Sequence, residues 1–111
     1  MKKTFWLSYD LGLKGDYPGL YAWLDSYQAE ECGYGLAVFK FECQTNDPVI
    51  EIDAELRKRV QFDETKDRVY LIWRDNEKSV NAGKFLVGRR KAAPWEGYAV
   101  SEGESKIDYA D

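Results

Sequence analysis

The sequence predicts an α+β fold in which a sheet of four or five strands carries two helices on one face. Several segments alternate apolar and polar residues, which is typical of half-buried strands, and two amphipathic helical segments lie between them. The length of 111 residues fits one domain. Hydrophobic residues make up 44% of the chain, which is enough for one packed core.

The first strand and the first helix follow one another near the N-terminus. Residues 5–9 alternate and predict a strand that ends at Asp10. Asp16 is a good helix-capping residue, and Pro18 fits a first helical turn. The helix that follows has an apolar stripe at helical spacing, formed by Leu20, Trp23, Leu24 and Tyr27. We expect this helical region to end at the glycines of residues 33–35.

The middle of the chain contains a clear strand followed by an ambiguous segment. Residues 36–43 alternate and predict the second strand. Residues 44–53 fit two interpretations, and the first is a helix over residues 48–60. In the second, residues 49–52 form a third strand and a shorter helix begins at Asp53. The β-branched residues of this segment favour the second interpretation.

The last strands complete the predicted fold. Residues 69–73 predict a central strand, residues 75–83 a polar loop, and residues 84–89 a final strand paired with the previous one. Right-handed crossovers put both helices on one face, so the order of elements predicts a two-layer ferredoxin-like sandwich. The domain is predicted over residues 1–100, and residues 101–111 form an acidic tail that we expect to be mobile.

Cysteine content, apolar runs and charge narrow the function classes. Cys32 and Cys43 form no C-x-x-C pair and the chain has no histidine, so no zinc site is predicted. No apolar run approaches the roughly 20 residues that span a bilayer, and the N-terminal run is too short for a signal peptide. We therefore expect a cytoplasmic protein without a membrane partner. The net charge of −4 is not typical of a general nucleic-acid binder.

Four short segments occur in an order that matches a known family: Tyr9-Asp10-Leu11, Ala37-Val38-Phe39, residues 55–60 and residues 67–72. With these segments the chain resembles the small CRISPR-associated adaptation nucleases and their relatives of the VapD toxin type. The resemblance implies a ferredoxin-like homodimer that cleaves phosphodiester bonds with a divalent metal. It implies that Asp10 is the catalytic residue and a Mg²⁺ ligand, because two-fold symmetry can bring a second Asp10 to the same ion.

Asp10 has a second interpretation that requires no cofactor. As a strand-end residue, its carboxylate would cap the turn at Gly12. The sequence therefore leaves open whether the chain is an enzyme at all.

A cluster of basic and aromatic residues lies near the end of the predicted domain. It consists of Lys84, Arg89, Arg90, Lys91 and Trp95. Such a cluster can hold phosphates while an aromatic ring stacks on a base, which predicts contact with RNA or DNA. One alternative is an edge strand that positive charge protects against aggregation. Another is that the acidic tail folds back on this cluster and masks it.

Two function classes follow from these patterns. The first is a small nucleic-acid-associated protein, either a Mg²⁺-dependent endoribonuclease or an inactive relative of one. The second is a non-catalytic homodimeric interaction module that uses the uncovered face of the sheet. Trp6 and Tyr70 are predicted to lie on that face, and uncovered aromatic surfaces usually meet a second copy or another partner.

Overall fold

The computed structural model describes residues 2–99 and contains two helices and one five-stranded sheet. The strands, in chain order, are β1 (Lys2–Asp10), β2 (Glu30–Glu31), β3 (Leu36–Glu42), β4 (Arg68–Asp75) and β5 (Val80–Val87). The helices are α1 (Tyr17–Ser26) and α2 (Pro48–Arg59).

The sheet has the order β2-β3-β1-β4-β5, and all neighbouring strands are antiparallel. Helix α1 connects β1 to β2, and β3 lies between these two strands in the sheet. Helix α2 connects β3 to β4 in the same way, with β1 between them. These two split crossovers define the ferredoxin-like topology, to which β5 adds an outer strand. The predicted α+β two-layer sandwich is confirmed.

The core lies between the two helices and one face of the sheet. Phe5 and Leu7 contribute to it from β1, and their cross-strand partners Phe39 and Leu71 lie on the same face. Helix α1 buries Leu20, Trp23 and Leu24, and α2 buries Val49, Ile52 and Leu56. The apolar side of each element in the sequence predicts five core residues, namely Leu7, Leu24, Phe39, Leu56 and Leu71. All five are buried.

Residues 48–52 are helical, so the favoured interpretation of this segment as a strand is wrong. Asp47 caps α2, since its side chain accepts a hydrogen bond of 3.2 Å from a backbone N–H of the first turn. Glu51 reaches back and accepts hydrogen bonds of 2.9 Å from the backbone N–H groups of residues 44 and 45. These contacts and the burial of one helix face outweigh the β-propensity of the β-branched residues.

Three further boundaries differ from the prediction. Helix α1 ends at Ser26, and the two-residue strand β2 occupies part of the connection to β3. β4 continues to Asp75 and β5 begins at Val80, so most of the predicted polar loop is a paired hairpin. The predicted final strand ends at Val87, because the chain turns at Gly88, whose φ is +74°. β5 lies at the edge of the sheet and is mostly exposed, so it can consist largely of polar residues and resemble a loop in the sequence.

Two expectations concern the ends of the chain and membranes. The predicted domain boundary at residue 100 and the acidic tail over residues 101–111 lie outside the described residues. In the part of the chain that the structure describes, no helix is both long and apolar enough to cross a membrane.

Candidate functional site

The sheet face opposite the helices is not covered by any other described element; we call it the open face. Trp6 lies at its centre, and its cross-strand partners are Val38 on β3 and Ile72 on β4. Tyr70 pairs with Phe85 on β5 beside this strip. All five side chains are half-buried, so an apolar strip with aromatic rings crosses four strands.

Basic side chains outnumber acidic ones on the open face. Strand alternation and register place on this face the basic residues Lys2, Lys40, Arg68 and Arg74 and the acidic residues Asp10, Glu30 and Glu42. Arg90 joins them, because its guanidinium lies over the rings of Tyr70 and Phe85. Within residues 2–99 the open face is therefore positively charged, although the whole chain carries −4.

Asp10 is the last residue of β1 and lies on the open face. Its side chain is 73% exposed, and its Oδ2 lies 3.7 Å from a terminal guanidinium nitrogen of Arg68, its cross-strand partner. The interpretation of Asp10 as the cap of the Gly12 turn is wrong, because another carboxylate fills that role.

Asp67 is the carboxylate that holds the Gly12 turn. It is 2% exposed; its Oδ1 accepts a hydrogen bond from Gly12 N–H and its Oδ2 one from Asp63 N–H, both of 2.7 Å. Asp67 thereby ties the end of β1 to the beginning of β4. The sequence contains no signal that separates Asp67 from the exposed acidic residues of the same turn, so sequence reasoning missed it.

Residues 89–91 follow the turn at Gly88 and line a cavity of about 600 Å³; we call it the basic cavity. Its basic lining side chains are those of Arg68, Arg89, Arg90 and Lys91. Four cations around one concave surface can attract and hold an anion such as a phosphate.

A smaller cavity of about 240 Å³ adjoins the basic cavity, since Arg68 and Arg90 line both. Tyr70, Phe85 and Asp10 also line this second cavity. The guanidinium carbon of Arg90 lies 5.8 Å from the ring centroid of Tyr70 and 5.6 Å from that of Phe85, within cation–π range. Arg68 Nε is buried without a hydrogen-bond partner among the described residues, so this side chain has an unused donor.

The predicted basic–aromatic cluster is only partly assembled. Arg89, Arg90 and Lys91 lie together in the basic cavity. Lys84 pairs with Leu71, so strand alternation places it on the helix side of the sheet, away from Arg90. Trp95 is 74% exposed in a turn outside both cavities.

The described residues of one chain do not group the ligands of a metal site. Within residues 2–99, no three His, Cys, Asp or Glu side chains are grouped so that they could hold a metal ion. Asp10 is the single carboxylate that lines the smaller cavity, and the Arg68 cation beside it competes with a metal for its oxygens. A Mg²⁺ ion at Asp10 would need further donors, such as waters, a substrate phosphate or a second copy of the chain.

Comparison with known proteins adds no family to these observations. No protein-family model, curated protein or solved structure matches the chain. Fold alone does not define a function, so the function has to be inferred from the chemistry of the open face and its cavities.

Proposed function

We propose that this protein binds single-stranded nucleic acid on the open face. In this proposal a phosphate occupies the basic cavity and a base stacks against the aromatic rings of the adjacent cavity. The observation that carries the proposal is the continuity of the two cavities, because Arg68 and Arg90 line both. Successive phosphates and bases of one strand need this alternation of cationic and aromatic surface.

The basic cavity has the charge that a phosphate requires. Glu64 and Asp67 also line it, but both carboxylates have partners. Glu64 is 3.1 Å from Arg57, and Asp67 accepts backbone hydrogen bonds from Gly12 and Asp63. The arginine and lysine side chains of the cavity therefore dominate its interaction with an incoming anion.

The smaller cavity, which Tyr70 and Phe85 line, favours a single strand over a duplex. The rings of Tyr70 and Phe85 have their centroids 4.7 Å apart and are tilted by 66°, so a base can stack on one ring while its edge meets the other. Stacking of this kind contributes about 1–3 kcal/mol per base and requires that the base leave a duplex stack. A base can also stack on the planar guanidinium of Arg90.

The proposal is tested by fluorescence anisotropy with labelled single- and double-stranded RNA and DNA over a range of salt concentrations. We expect the single strands to bind more tightly, and we expect Arg90→Glu to lower both the affinity and the salt dependence. Lys84→Glu is the matched control, because it makes the same charge change on the opposite side of the sheet. Equal effects of the two substitutions, or an absence of binding, would overturn the proposal.

The catalytic form of this proposal is Mg²⁺-dependent cleavage of the bound RNA at Asp10. Its support is the resemblance to the adaptation nucleases and the position of Asp10 in the cavity that Tyr70 and Arg90 line. Because Asp10 is the one carboxylate among the described residues that line this cavity, the resemblance implies a dimer in which two copies of Asp10 share the ion.

A second candidate function is a non-catalytic homodimer formed through the open face. The uncovered strip of Val38, Trp6 and Ile72 supports it, because burial of such a strip favours association. Light scattering during size-exclusion chromatography gives the oligomeric state. We expect Trp6→Lys to produce a monomer, and an unchanged mass for this variant would contradict the candidate.

A further inference from the structure

A third cavity, of about 590 Å³, lies at the end of β1 between the start of α1 and the turn before β3. We call it the tyrosine cavity. Four tyrosines and two acidic residues line it, namely Tyr9, Tyr17, Tyr21, Tyr34, Asp10 and Glu31. No lysine or arginine is among the described residues that line it.

Three of the tyrosine rings form a compact group with tilted planes. The centroids of Tyr17 and Tyr21 are 5.5 Å apart at 50°, those of Tyr9 and Tyr21 are 6.2 Å apart at 76°, and those of Tyr9 and Tyr17 are 6.5 Å apart at 69°. The group therefore presents ring faces in more than one direction. A planar ligand can stack on only one of these faces, whereas a compact rounded group can contact two of them.

Backbone hydrogen bonds hold the walls of the cavity in place. The Tyr17 hydroxyl accepts a hydrogen bond of 3.2 Å from Leu11 N–H and is 3.4 Å from Leu11 O, to which it donates. Tyr9 N–H donates to Gly35 O at 2.8 Å. Gly35 has a φ of +70°, and a Cβ there would lie 2.8 Å from Tyr9 O, so glycine allows this close approach.

The electrostatic character of the cavity favours a cation. Glu31 and Asp10 both line it, and the carboxylate that no described cation pairs with is that of Glu31, since Asp10 lies beside Arg68. The faces of the tyrosine rings also carry negative potential. The pKa of Tyr9 is raised, first by burial and then by the neighbouring tyrosines and Glu31, so its phenol stays neutral at physiological pH. An anion would meet repulsion here, in contrast to the basic cavity.

We propose that the tyrosine cavity binds a methylated ammonium group. Such a group is compact, rounded and positively charged, so it can contact two tilted ring faces while the Glu31 carboxylate balances its charge. A phosphate is excluded by the negative charge of the lining. The fully exposed Tyr34, between Gly33 and Gly35, supplies a further ring at the rim. This site does not depend on the nucleic-acid proposal.

Choline and 3,3-dimethyl-1-butanol, its neutral isostere, provide the direct test. Each is titrated into the ¹⁵N-labelled protein, and amide shifts are followed for residues of the cavity. We expect choline to shift the amides around Tyr9 and Gly35, and the neutral isostere to bind at least about tenfold more weakly. Equal binding of the two compounds, or no shift with choline, would overturn the proposal.

Substitutions at the cavity separate the contribution of the rings from that of the charge. Tyr21 is 51% exposed, so Tyr21→Leu removes a ring with little effect on the core, and we expect about tenfold weaker choline binding. Tyr21→Phe keeps the ring and should retain binding. Glu31→Gln should weaken binding of choline without affecting the isostere. Tyr98→Leu, at an exposed tyrosine outside the cavity, is the control.

A second titration distinguishes two sources of the methylated ammonium group, a modified protein and a small molecule. A peptide that carries trimethyllysine and the same peptide with unmodified lysine are titrated beside free choline. Tighter binding of the trimethylated peptide than of choline identifies a protein ligand, whereas tighter binding of choline identifies a small molecule. If the unmodified peptide binds as tightly as the trimethylated one, the site does not recognise methylation and the proposal is wrong.

Discussion

Asp10 and Arg68 are cross-strand partners at one end of the sheet, with the carboxylate Oδ2 3.7 Å from a guanidinium nitrogen. The carboxylate is 73% exposed and the arginine half-buried, so solvent screens the pair and it contributes about 0–1 kcal/mol to stability. Asp10→Asn keeps the shape of the side chain and removes the charge that would bind a metal. We therefore expect this variant to remain folded and to lose any Mg²⁺-dependent cleavage of RNA. Cleavage that survives the substitution would exclude Asp10 from the mechanism.

A stability prediction concerns the buried carboxylate that holds the Gly12 turn. Asp67→Asn replaces one accepting oxygen by an NH₂ group, which cannot accept the hydrogen bond from Gly12 N–H or Asp63 N–H. We expect the free energy of unfolding to fall by about 1–3 kcal/mol in a urea titration. Asp10→Asn is the matched control at an exposed site, and an equally small effect of both would contradict the role given to Asp67.

The packing of the central strands gives a second stability prediction. Leu71 is fully buried on β4 opposite Leu7, so Leu71→Ala leaves a cavity between the sheet and the helices. We expect a loss of about 2–5 kcal/mol in the free energy of unfolding. Leu13→Ala removes the same atoms from a fully exposed position and should have little effect. A loss below about 1 kcal/mol at Leu71 would mean that the core repacks around the vacancy.

Alkaline pH should destabilise the protein through Tyr27. Burial, and then a hydrogen bond of 2.5 Å donated to Glu55 and the charge of that carboxylate, raise the pKa of Tyr27 from 10.0 to about 12. Because the folded-state pKa is raised, this stabilisation is present below pH 10.0 and is lost as the pH rises towards about 12. We expect Tyr27→Phe to flatten the decline of unfolding free energy in urea titrations over this range. If the variant loses as much unfolding free energy over this pH range as the original protein, other titrating groups cause the loss.

The elements whose own residues show a clear period could be predicted from the sequence. β1, β3 and β4 alternate, and α1 has its apolar stripe, so each could be recognised alone. The start of α2 depends on Glu51, which reaches back to the preceding loop, and β5 depends on its pairing with β4. Such contacts form between segments that are separate in the sequence. The local pattern of either segment alone therefore does not predict them.

The candidate site was predictable to a smaller extent. The basic residues 89–91 are adjacent in the chain and do form one cavity wall. Lys84 and Phe85 are also adjacent, but strand alternation sends them to opposite faces, which separates Lys84 from the arginines. The contact between Asp67 and Gly12 joins residues 55 positions apart. Only the folded topology brings such residues together.

The two edges of the sheet are unequal. Among the described residues, β2 ends one side with two exposed glutamates, whereas β5 ends the other with eight residues. β2 pairs with only Ala37 and Val38 of β3, so residues 39–42 continue that edge without a partner strand among the described residues. The β5 edge is longer and offers more backbone groups to a second chain. Association by strand pairing is therefore expected to begin at β5, which makes this strand the place where a charged or proline substitution would block it.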